Sequence, residues 1–213
     1  MKLEMLITWV GDQPCFDLAT LVQLSNERRE SIRTQLYRWA RDGKVCPLRR
    51  GMYTLAEPFR KVPVNTAELA NRLYAPSYLS TFWALSYYGL IPEMTVVLTS
   101  VTRRVPRLFE NAFGRFQYTH IKSEGFFGYR PMEILGREVL MAEPEKALLD
   151  LWYLGKGEWV QPRIVEMRFQ NTDALNLKKL EDYAQRFESP RLQRALEGFM
   201  KFAAAEQDGE VEL

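Results

Sequence analysis

Residues 28–55 read RRESIRTQLYRWARDGKVCPLRRGMYTL, and the fold turns on them. Ile32, Leu36, Trp39 and Ala40 fall three and four apart, the spacing of one apolar helical face. The run stops at Asp42-Gly43, a glycine being the residue that accepts the backbone turn after a helix. Two β-prone runs follow, with Arg49, Arg50 and Gly51 at the turn between them. Adjacent arginines on a hairpin tip have two readings: soluble turn residues, or residues that lie against a polyanion.

The helix before the hairpin decides between them. With Leu36 inward, about 100° per residue sends Ser31, Thr34, Arg38 and Arg41 outward and leaves Arg28, Gln35 and Tyr37 on the flanks. From Arg28 to Arg50 there are eight basic residues against two acidic, a local charge of +6 in a chain of net +2. Ser31, Thr34, Gln35 and Arg38 are residue types that read base edges. Arg41, Lys44, Arg49 and Arg50 suit phosphates, and Arg28 and Arg29 join them as DNA-binding candidates. Gly51 lets the tip turn, while Tyr53 and Leu55 anchor the return strand.

Two more short helices precede this one. Leu3, Leu6, Ile7 and Val10 share a face, and Asp17 stands where an N-cap would open a run carrying Leu18, Leu21 and Val22. Ser25 and Asn26 form a further break and a cap candidate for the third helix. Three helices and a hairpin are the order of a winged helix-turn-helix. Residues 1–60 are therefore expected to form a DNA-binding domain, of modest stability at that size.

A linker with two prolines, 57–64, separates it from a second domain over 65–213. Helices are expected at 66–74 and at 80–89, the latter capped by Ser80 and stopped by Gly89. Strands are expected at 95–102, 114–121, 126–135 and 137–142, the last two joined as a hairpin by Gly136. A helix from 143 to 154 and a helical, acidic tail complete an α+β domain with an antiparallel sheet and C-terminal helices. From Asn171 to Leu213 there are nine acidic and six basic residues.

The bulk numbers bound the function. An apolar fraction of 46% and an aromatic fraction of 13% belong to a globular chain. Two cysteines, Cys15 and Cys46, and one histidine, His120, are too few for a structural zinc site, so neither metal nor cofactor is expected. No apolar stretch approaches the ~20 residues of a membrane span and no signal peptide is evident, so a cytoplasmic protein without a membrane partner is expected. Glu143, Glu145 and Asp150 invite comparison with an acid pair or a metal site, but Glu143 and Glu145, two apart, do not face each other on a helix and read as capping residues of its first turn. His120 sits in an alternating strand run and reads as packed or hydrogen-bonded, and 155–159 lacks the spacing of a phosphate loop. Arg103, Arg104 and Arg107 form a second basic cluster on a loop, either solvated or in contact with nucleic acid or an acidic partner. No catalytic residue emerges.

Four phrases resemble one family: LYRWARDGKVCPLRRGMYTL (36–55), APSYLSTFWALSYYGLIP (75–92), LTSVTRR (98–104) and EPEKALLDLWYL (143–154). Together they are similar to the AbiEi-like antitoxins of bacterial toxin–antitoxin and abortive phage-infection systems, over about residues 13–190. The resemblance implies an N-terminal winged-helix domain that represses its own operon by binding promoter repeats in double-stranded DNA. It also implies a C-terminal domain that neutralises a nucleotidyltransferase-like toxin, acting on the toxin or on its cellular target. A stand-alone winged-helix transcriptional regulator is the alternative reading. An enzyme acting on nucleic acid is a third, which the lack of a nucleophile, a carboxylate set or a phosphate loop argues against.

Overall fold

A computed structural model describes residues 1–207. The three N-terminal helices are α1 (Leu3–Val10), α2 (Leu18–Ser25) and α3 (Arg29–Arg41). Each is too short to persist alone and is held by burial of one face. Leu6, Val10, Leu18, Leu21, Ile32, Leu36 and Trp39 meet in one apolar cluster, closed by Phe16, Val45 and Leu55. Asp17 caps α2 as expected, accepting the Thr20 N–H at 2.7 Å. Ser25 and Asn26 do not cap α3. Asn26 ends α2 in the left-handed region, and α3 starts after Arg28 with no side-chain cap. Strands β2 (Val45–Arg49) and β3 (Met52–Leu55) form the hairpin, with Gly51 at φ +77° in its turn. A two-residue strand, β1 (Phe16–Asp17), adds to β3, making a three-stranded antiparallel sheet in the order β1-β3-β2.

The segment expected as a linker is docked. Glu57–Phe59 is a 3-10 turn, Lys61 N–H donates to the Gly11 carbonyl at 3.1 Å, and the Arg60 guanidinium lies over the Phe113 ring. Beyond it come α4 (Thr66–Leu73), β4 (Ser77–Leu79), α5 (Thr81–Tyr87), β5 (Val97–Thr102), β6 (Arg107–Asn111) and β7 (Gly114–His120). Strands β8 (Tyr129–Ile134) and β9 (Arg137–Ala142) and helices α6 (Pro144–Leu154), α7 (Gln161–Glu166), α8 (Leu177–Gln185) and α9 (Pro190–Gln207) complete the α+β architecture.

The second sheet is mixed, not antiparallel. Its order is β6-β7-β5-β4-β9-β8, with β5 parallel to β7 and β4 parallel to β9. The tight turns make antiparallel neighbours of β6 with β7 and of β8 with β9. The parallel pairs arise because β5 skips β6 to join β7, and β9 returns to β4 across more than fifty residues. Strand β4 has three residues, too few for an alternating pattern, and its stretch falls between the helices expected at 66–74 and 80–89 with no element assigned to it. Arg107, expected on a loop, opens β6.

Ser80 does not cap α5. Its hydroxyl donates instead to Asp150 Oδ2 on α6 at 2.7 Å. Tyr78 donates to the same oxygen at 3.0 Å, and Lys146 pairs with Asp150 Oδ1. Lys146 and Asp150 are both fully buried. Burial pushes the Asp150 carboxyl up and the Lys146 ammonium down, and each partner's charge works against that. This network ties α6 to β4 through the middle of the large core.

Candidate nucleic-acid interface

Helix α3 presents a broad basic surface because its apolar stripe covers less than half its circumference. Ile32, Leu36 and Trp39 are inside; Arg28, Arg29, Ser31, Thr34, Arg38 and Arg41 are exposed, and Gln35 is half-buried. Arg38 and Arg41 lie in the last turn, where the helix dipole favours cations. Arg28 and Arg29 lie at the other end, where it disfavours them. A Ser or Asp at the N-cap would have been worth about 1 kcal/mol to the helix. Local helix energetics give no reason for two arginines there.

Between α3 and the hairpin turn lies an open cleft of about 750 Å³. Arg29, Arg33, Tyr37 and Arg41 line its helix side, and Arg50 and Tyr53 line its hairpin side. Tyr53 is steadied by stacking on Phe16, ring centroids 6.1 Å apart. Among the described residues none of Arg28, Arg29, Arg33, Arg38, Arg41 or Arg50 makes an ion pair within 4.0 Å. Lys44 alone of the segment does, with neighbouring Asp42 at 3.6 Å. The cleft lining carries four arginines against one acid, Glu30, so its net charge toward solvent is positive, and a surface of one sign attracts the other.

Nine of the ten residues picked out by sequence lie on this helix, beside one of its ends or at the exposed hairpin tip. Arg49 does not. Its Nε donates to the Leu73 carbonyl at 2.7 Å and one terminal nitrogen donates to the Arg50 carbonyl at 3.3 Å, so the side chain turns toward α4. Arg33 and Tyr37, which the sequence does not single out as binders, also line the cleft. A helical wheel centred on Leu36 places them on a flank, and only the hairpin makes that flank one wall of a cleft. Their i, i+4, i+8, i+12 register with Arg29 and Arg41 was the available signal.

The remaining candidates are held in structural contacts. Arg104 stacks over Tyr74 at 4.1 Å and donates to the Ala75 carbonyl, and Arg103 lies over Phe126 at 5.2 Å. His120 Nδ1 is hydrogen-bonded with the Arg104 carbonyl oxygen at 3.1 Å. Glu143 and Glu145, read as capping residues, do not cap α6 with their side chains. Glu143 accepts from the Tyr183 hydroxyl at 2.7 Å and pairs with Lys179 at 2.8 Å; Glu145 accepts the Asn176 N–H at 2.9 Å. They join α6 to α8. Cys15 and Cys46 are free thiols. Among the described residues no group of three or more His, Cys, Asp or Glu is placed to hold a metal ion, and no helix is long and apolar enough to cross a membrane.

The described part of the C-terminal tail carries no net acidity. Three of its nine acids, Asp208, Glu210 and Glu212, lie outside the described residues, which leaves six acidic against six basic over 171–207. Compared with protein-family models and with curated proteins, the chain finds no match.

Proposed function

We propose that this protein is a transcriptional regulator that binds double-stranded DNA through α3 and the β2–β3 hairpin, in the manner of a winged helix-turn-helix. The observation that carries the reading is the cleft whose two walls hold Arg29, Arg33, Arg41 and Arg50, none of them ion-paired among the described residues. Helix α3 is the recognition element, with Ser31, Thr34, Gln35 and Arg38 toward base edges and the flanking arginines on phosphates. Together with the resemblance to AbiEi-like antitoxins, this makes the protein an autorepressor whose C-terminal part counteracts a nucleotidyltransferase-like toxin. The toxin-neutralising half rests on that resemblance.

Salt dependence of binding to the protein's own upstream DNA tests the DNA reading. Five or six arginine–phosphate contacts correspond to a slope of log K against log salt of about −5. The Arg33→Ala/Arg41→Ala/Arg50→Ala variant should lose about 3 from that slope. A wild-type protein that does not bind, or a triple variant with the same slope, refutes it. Expressed from an unrelated promoter, the same variant should still protect cells from the toxin encoded beside it. Loss of protection together with loss of DNA binding reduces the protein to a regulator.

A further inference from the structure

The hairpin is not free to swing. Its register shifts between Pro47 and Arg49, so that Leu48 is an extra residue on β2 without a partner on β3. A bulge of this kind re-aims the side chains around it. Here Leu48 is turned into the large core of the C-terminal part, together with Met52 and Cys15. The Leu48 carbonyl accepts from Asn111 Nδ2 at 3.1 Å. Asn111 ends β6, and its Oδ1 accepts the Phe113 N–H at 2.8 Å, so the β6–β7 turn holds the amide in place.

Arg49 makes the second attachment. Leu73 is the last residue of α4, and its carbonyl is one of those a helix leaves without an internal partner. A guanidinium donating there at 2.7 Å is a charge-assisted bond at the negative end of the helix dipole. One residue further on, Arg50 is exposed on the wall of the cleft.

Resting on the DNA-binding reading above, we propose that Arg49 and Asn111 are positioning residues for DNA binding. They fix the hairpin to α4 and to the β6–β7 turn, so that Arg50 stands at a set distance from α3, and neither residue touches DNA. Preorganisation of this kind raises affinity by removing an ordering cost from the binding step.

The test uses the full chain, with DNA affinity measured against salt and hydrogen exchange measured in the free protein. Arg49→Ala and Asn111→Ala should each weaken binding about tenfold, the effect of a lost hydrogen bond of about 1.4 kcal/mol, with the salt slope unchanged. Exchange should rise across 45–55 in both. Arg49→Lys keeps the charge but puts a methylene where Nε was, and should bind like Arg49→Ala. Arg50→Ala, by contrast, should reduce the slope by about 0.9. The proposal is overturned if Arg49→Ala loses that same increment while Arg49→Lys restores it, which marks a phosphate contact. It is equally overturned if Asn111→Ala matches wild type in both affinity and exchange. Wild-type protein that fails to bind DNA removes the functional reading alone, because exchange over 45–55 still reports whether the two residues hold the hairpin.

Discussion

Cutting the chain after residue 64 should leave an N-terminal fragment close to the limit of folding. In the whole protein Leu48 is 3% exposed and Met52 8%, yet both are buried against the C-terminal part and not in the cluster of the three helices. Burying a leucine or methionine side chain contributes about 1.5–3 kcal/mol, so exposing both costs about 3–6 kcal/mol. That is an upper figure, because the cut chain can repack. Losing the hydrogen bonds from Arg49 to Leu73 and from Asn111 to Leu48 adds about 2–4 kcal/mol, one of them being charge-assisted. A unit of this size has in total about 3–9 kcal/mol of stability. The loss is as large as the whole, and the fragment should unfold at low urea with little cooperativity. Tryptophan fluorescence follows it, since the fragment keeps Trp9 and Trp39. The decisive control is Leu48→Ser/Met52→Ser, which should cost about 3–6 kcal/mol in the full chain and almost nothing in the fragment, where both side chains already face water. A cooperative fragment that the two serines destabilise as much as they destabilise the full chain would show that Leu48 and Met52 pack within the N-terminal part, and would refute the reasoning.

Lys146→Met should destabilise the full chain by about 3–5 kcal/mol in urea denaturation, because it strands the buried Asp150 carboxylate with only the Ser80 and Tyr78 hydroxyls. Adding Asp150→Asn should recover part of that loss; a double variant no better than the single would mean that the ammonium contributes only its packing. Burial works to raise the Glu143 carboxyl, but hydrogen bonds from Lys179 and Tyr183 outweigh it and hold the group below its ordinary value of 4.5. A depressed carboxyl stabilises the fold above that value and ceases to as pH falls beneath it. The slope of stability against pH below about 4.5 should accordingly be shallower in Glu143→Gln than in wild type, and equal slopes would remove Glu143 from acid unfolding.

The features legible in the sequence are those set within a few residues. The stripe of Ile32, Leu36 and Trp39 fits only a helix, and Asp17 caps the helix it begins. Gly51 and Gly136 stand at positive φ in the two turns where they were expected, and β5, β7 and β9 form where the β-prone runs lie. Each of these is decided by side-chain period, by a short-range hydrogen bond or by a steric limit at one residue.

Only the tertiary structure decided how distant segments meet. Strand β4, three residues long, exists because β5 and β9 supply its hydrogen bonds from either side. Ser80, a good cap by type, serves Asp150 because α6 lands beside it. Arg49 and Arg50 are the same residue in adjacent positions, and the chain alone gives no reason to treat them differently. A bulge at Leu48 and the end of α4 bring one of them to a helix carbonyl and leave the other facing solvent. Residue type and local period determine which groups carry charge and which element they sit on. Where each charge points is settled by partners that are twenty to seventy residues away, through free energies that no local window contains.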